Sequence, residues 1–106
     1  MSFNVSLSTR GQTAVVTLSG ELDETDVEQF RQKIGDAAAG EISRLVLDMS
    51  TLDRMSAAGL RGLAFCGSKL SDDVEIVIAS PNDEVRTAIE GVNFQQSVVI
   101  ADAVPQ

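Results

Sequence analysis

The chain has 106 residues, enough for one domain with a modest core, and its 8 basic and 16 acidic residues give a formal charge of −8. That acidity argues against a nucleic-acid backbone or a bare anionic membrane surface as partner, and no run of about 18 apolar residues is present to span a bilayer. There is no histidine and only one cysteine, Cys66, which argues against Ser-His-Asp chemistry and most zinc sites, excludes an internal disulfide, and fits a cytoplasmic location.

The opening residues Met1 to Val5 lack the basic and apolar regions of a secretory signal. From Phe3 to Ser8 apolar and polar residues alternate, the pattern of a half-buried strand. Arg10-Gly11-Gln12 is a turn and Ala14 to Leu18 a second strand, so the first two strands form a hairpin. The second strand ends in Ser19-Gly20-Glu21-Leu22-Asp23. Asp23 is the expected N-cap of a helix, with Glu24 and Asp26 in its acid-favouring first turn. Val27, Phe30, Ile34 and Ala37 repeat at helical spacing up to a stop at Gly40, and Glu28, Arg31, Gln32 and Asp36 form the solvated face.

The third strand, Arg44 to Met49, is nearly all apolar, as a strand covered on both faces should be. Ser50 to Arg54 is read as a polar turn. Leu60, Leu63, Ala64, Gly67 and Leu70 then mark one face of a second helix, which starts near Ser56 and ends near residues 71–73. Val74 to Ala79 is a fourth strand. Ser80 is the expected cap of a short third helix with Pro81 at its first position and Val85, Ala88, Ile89 and Val92 on its apolar face. Ser97 to Ala101 is the fifth strand, and the tail from Asp102 is too short for a stable helix. The four aromatics, Phe3, Phe30, Phe65 and Phe94, are assigned to core or rim. The order β-β-α-β-α-β-α-β implies a single α/β domain over residues 1–106, with right-handed crossovers and a mixed, mostly parallel sheet of about five strands.

The chemistry-bearing stretch is Met55-Ser56-Ala57-Ala58-Gly59-Leu60. Ser56 suits the N-cap, where its oxygen accepts a backbone N–H. A helix start built from Ala57, Ala58 and Gly59 has two readings. Its unpaired amides are open to an anion or to another protein's backbone, or its small residues let the helix pack closely on the sheet. Asp23 and Asp53 fall in loops at the same sheet edge and form a candidate acidic patch beside it; the alternatives are a helix cap and an exposed turn residue. Cys66 lies mid-helix with no cationic neighbour to activate it, so an enzyme is not expected. No phosphate-binding loop is present, and no metal or cofactor is expected.

Three motifs make the chain similar to a STAS domain, the fold of bacterial anti-sigma factor antagonists and of the cytoplasmic ends of sulfate transporters. Gly20-Glu21-Leu22-Asp23 resembles the family's Gly-x-apolar-Asp. Leu47-Asp48-Met49-Ser50-Thr51-Leu52 resembles its strand-end pattern, and Met55 to Leu60 occupies its signature, with Ser80-Pro81 and Val85 matching the last crossover. In that family the resemblance implies a regulatory switch in transcription. The serine after a signature Asp is phosphorylated by a partner that is both kinase and anti-sigma factor, and only the unmodified form binds.

This chain departs from the pattern where the switch sits. Ser56 stands in place of the signature Asp, and Ala57 in place of the phosphorylated Ser. The resemblance therefore implies a non-enzymatic protein-binding domain that docks an anti-sigma factor or related serine kinase through Asp23, Asp53, Met55, Ser56, Ala57, Ala58, Gly59 and Leu60. Ser56 is the candidate phosphorylation site that remains. The alternative is the STAS subunit of an ABC-type lipid transporter, docking on the ATPase subunit. The family often ends in a further helix; its lack here would expose surface that a partner or a homodimer could cover.

Overall fold

A computed structural model describes residues 3–69, 73–91 and 98–102, with side chains of the second helix only as far as Ala64. Its elements run β1 (Phe3–Arg10), β2 (Thr13–Leu22), α1 (Val27–Ala38), β3 (Arg44–Met55), α2 (Ala57–Lys69), β4 (Glu75–Ala79), α3 (Asp83–Glu90) and β5 (Val98–Ala101). The element order is the one expected. So is the sheet, whose strands lie in the order β1-β2-β3-β4-β5, with β1 antiparallel to β2 and every later pair parallel. Gly11, at φ 58°, makes the hairpin turn between β1 and β2.

Each parallel step moves the chain one strand further across the sheet. Right-handed connections then put all three helices on one face. Phe30, Ile34 and Ala37 of α1, Leu63 of α2, and Val85 and Ile89 of α3 meet Val16, Leu18, Leu45, Leu47, Met49, Ile76 and Ile78 there. The other face carries a narrower apolar strip of Val46, Val77 and Ala79. Leu45, Val46 and Leu47 are fully buried, so both faces of the central strand are dry, as its apolar run predicts.

The expected polar turn at Ser50–Arg54 is corrected. β3 continues through it to Met55, and β2 continues beside it to Leu22. The pairing survives because β3 takes up extra residues in two bulges. Thr17 to Ser19 of β2 faces Asp48 to Thr51, and Gly20-Glu21 faces Leu52 to Arg54. A polar run read as a turn is thus a strand end with its alternation broken twice. At the first bulge the Asp48 carboxylate accepts the Ser50 N–H at 3.1 Å, and the Thr51 hydroxyl donates to the Leu18 carbonyl at 3.0 Å. Gly20, opposite the second bulge, sits at φ 85°, a conformation that disfavours any side chain.

Two caps also differ from expectation. Asp23 does not cap α1. Its carboxylate accepts the Thr25 N–H at 3.0 Å and the Thr25 hydroxyl at 2.7 Å, closing a turn ahead of the helix, and Asp26 takes the N-cap position without a side-chain bond. Asn82, in place of Ser80, caps α3 and accepts the Val85 N–H at 2.8 Å. Ser80 instead turns at φ 57° and ties the end of β4 to β5, its N–H donating to the Ala101 carbonyl and its hydroxyl to that of Asp102. Leu70, Val92, Phe94, the tail beyond Asp102, and the side chains of Phe65 and Cys66 lie outside the described residues, as does the packing of Gly67.

Candidate functional site

The carboxyl ends of β2 and β3 and the first turn of α2 form one unit. The Ser56 N–H donates to the Leu22 carbonyl at 2.9 Å, fastening the end of β3 to the end of β2. Ser56 then caps α2 as expected. Its Oγ accepts the Gly59 N–H at 3.1 Å, and its carbonyl accepts the Leu60 N–H at 2.9 Å. Of the first-turn amides, those of Ala57 and Ala58 have no carbonyl within the helix to bond.

The two readings of the small residues divide between positions. Gly59 is buried, and a Cβ there would lie 2.9 Å from Met55 Cγ, 3.0 Å from Leu22 Cγ and 3.1 Å from the Leu22 carbonyl oxygen. It is glycine so that the helix can touch the sheet edge. Ala57 is exposed, and Ala58, Leu60, Met55 and Ser56 are half-buried around it. The outer surface of the first turn is therefore open.

Asp53 and Asp23 both lie exposed at this end of the sheet, Asp53 in the second bulge of β3 and Asp23 directly after β2. Their environments differ. The Thr25 hydroxyl and N–H hold the Asp23 carboxyl below the usual carboxylate range. Asp26 beside it is pushed up, first by partial loss of solvent and then by its contact with Asp23. Asp23 and Asp26 thus influence each other's protonation. Among the described residues no cluster of Cys, Asp or Glu is arranged to hold a metal ion.

One residue of this region went unread in the sequence. Asn82 donates through Nδ2 to the carbonyls of Leu52 and Asp53, at 3.2 and 3.0 Å, while its Oδ1 caps α3. Those carbonyls flank the second bulge, where the β2–β3 ladder is irregular. Asn82 thus braces the segment that leads into Ser56. The available signal was local: asparagine is among the best N-caps, and Asp83-Glu84 follow it in the acid-favouring first turn. Nothing in the sequence pointed to its contact 30 residues away.

Comparison with known proteins agrees with this architecture. The anti-sigma-F factor antagonist RsfB of Mycobacterium tuberculosis is 25% identical over 88 residues, 83% of this chain and 72% of its own length. The structure of the anti-sigma factor antagonist SpoIIAA in its unphosphorylated form superposes with a TM-score of 0.74 at 25% identity, over 97% of this chain and 90% of that one. An anti-sigma factor antagonist from Mycobacterium paratuberculosis, at 24% identity, shares the fold with a TM-score of 0.73 over 92% and 86% of the two chains. The family model for the STAS domain matches residues 4–106, and the chain belongs to that family.

Proposed function

We propose that this protein is a non-enzymatic antagonist of an anti-sigma factor, docking through the segment from Asp53 to Leu60 and lacking the usual phosphorylation switch. The observation that carries the reading is the form of the α2 start. Ala57 lies exposed on an intact, Ser56-capped first turn, and it has no hydroxyl. The strand end, brace and cap that present this turn are all formed, while the atom a kinase would modify is absent.

The physical logic follows from charge. A phosphate at this turn adds about −1.5 to −2 charge on a surface that a partner must approach closely. A buried dianion without an opposing cation is costly, so phosphorylation expels the partner. With alanine at position 57 the surface stays neutral and competent, and control passes to abundance. Ser56 is a poor substitute acceptor, because its Oγ is half-buried and engaged with the Gly59 N–H. The names of the relatives support an anti-sigma factor as partner, and such factors of this class are also serine kinases. The exposed, hydroxyl-free position 57 and a chain without histidine, the commonest general base, support a binding domain over an enzyme.

Affinity purification of the tagged protein from its own cells, with mass spectrometry of partners and of modifications, tests this. Recovery of an anti-sigma factor kinase with unmodified Ser56 is expected. Stoichiometric phosphate on Ser56, or recovery of a transporter ATPase subunit in its place, overturns the reading.

A further inference from the structure

A groove runs beside the α2 start, between α1 and α2. It has a volume of 330 Å³ and is lined by Glu24, Val27 and Arg31 on one wall and by Ala58, Arg61 and Gly62 on the other. The spacing explains the walls. Residues 24, 27 and 31 share one side of α1 and the turn before it, and 58, 61 and 62 share one side of α2. Gly62 brings the helices together, since a Cβ there would stand 3.0 Å from Val27 Cγ1. The floor is therefore small and apolar.

The charge on the walls runs against that of the molecule. In a chain of net charge −8, the groove holds two arginines and one glutamate. Arg61 is exposed and has no ion pair among the described residues. Arg31 is already engaged, 3.9 Å from Glu28. Ala58 belongs both to the groove and to the open first turn, so whatever covers Ala57 reaches the groove.

We propose that this groove receives an acidic segment of the partner protein, a carboxylate side chain set between Arg31 and Arg61 with an apolar neighbour on Ala58 and Val27. The proposal rests on the antagonist reading and gives the chemistry of what docks. Charge complementarity selects the occupant. An arginine fork takes a carboxylate in two parallel hydrogen bonds, and the volume admits a carboxylate side chain together with part of its backbone. Glu24 opposes the incoming charge and lowers affinity, which gives the arrangement an unusual sign test.

The test measures binding of the purified full chain to the anti-sigma factor kinase from the same cells, by calorimetry across a salt series and by amide chemical shifts. R61E is expected to weaken binding by about 10- to 100-fold and to flatten its salt dependence, with R61K recovering only part of the loss, since lysine keeps the charge without the fork. E24Q is expected to tighten it by about two- to fivefold. Arg61 and Glu24 are exposed, and circular dichroism of each variant verifies the fold. Unchanged affinity in R61E, with shifts confined to Ser56–Leu60, overturns the groove proposal and leaves the antagonist reading standing. Tighter binding in R61E means that the partner brings a cation and also overturns it. Shifts at Arg31 and Arg61 with inorganic phosphate but not with the kinase make the groove a small-anion site and overturn it as well. No binding of the kinase to any variant overturns both readings.

Discussion

Asn82 does two jobs with one amide, and they can be separated. Aspartate caps a helix as well as asparagine does, but it has no N–H to give the Leu52 and Asp53 carbonyls. N82D should therefore keep α3 while setting a carboxylate against two carbonyl oxygens, a loss of about 1–3 kcal/mol in urea denaturation. N82S keeps the cap and drops the donors without that repulsion, so its loss should be smaller. In both variants hydrogen exchange should quicken at residues 53–58 and hold steady within α3. Uniform acceleration would mean that the cap, and not the brace, is what Asn82 supplies.

Asp23 and Asp26 predict opposite responses to pH. Asp23 binds its proton less tightly in the folded protein, so its contribution to stability is present above the ordinary carboxylate value and is lost as pH falls through its lowered pKa. Asp26 binds its proton more tightly when folded, so its ionised form at neutral pH is a cost that disappears as pH falls through its raised pKa. D26N should raise the melting temperature at pH 7 and D23N should lower it, both converging on wild type in acid. Thermal melts at pH 7 and at successive steps into acid check the signs.

At the scale of elements, the seating of α2 depends on two glycines that differ. Alanine at either position gains about 1 kcal/mol in helix propensity. At Gly59 the new methyl meets the Leu22 backbone oxygen at 3.1 Å as well as two side chains. Overpacking against a backbone costs about 1–3 kcal/mol, so G59A should be net destabilising and should displace the Ser56 turn. At Gly62 the tight contact is one Val27 methyl, which can move, so G62A should be near neutral. Chemical denaturation of the two variants decides this; equal losses would contradict the account of Gly59.

The sequence shows the elements more clearly than their ends. Apolar periodicity marks α1 through Val27, Phe30 and Ile34, and the run Leu45-Val46-Leu47 marks the central strand, because burial writes directly into composition. The bulged end of β3 was illegible because its pairing comes from β2 and its brace from Asn82, both distant in the chain. Asp23 and Ser80 looked like caps because Asp and Ser serve turns as readily as helices, and tertiary contacts decided which. Of the candidate site, the Ser56 cap was readable from one local rule. The groove was not, since its walls belong to helices 30 residues apart in sequence.

For the whole molecule, the sheet is a platform that holds one end of β2 and β3 rigid and offers the first turn of α2 from it. No helix among the described residues is long and apolar enough to cross a membrane. The net charge of −8 sets a repulsive background against other acidic proteins, so docking of an acidic segment at Arg61 should depend on salt. A serine at position 57 should supply the missing acceptor, because that position is exposed on the capped first turn. A57D should mimic the blocked state and weaken binding about 10-fold or more.

The most direct measurement incubates the wild-type protein and A57S with the anti-sigma factor kinase, with and without Mg-ATP, and follows complex and phosphate together. Wild type should stay bound and unphosphorylated with ATP present, while A57S acquires one phosphate at position 57 and is released. Release of wild type with phosphate on Ser56, or on any other residue, would contradict the unswitched reading.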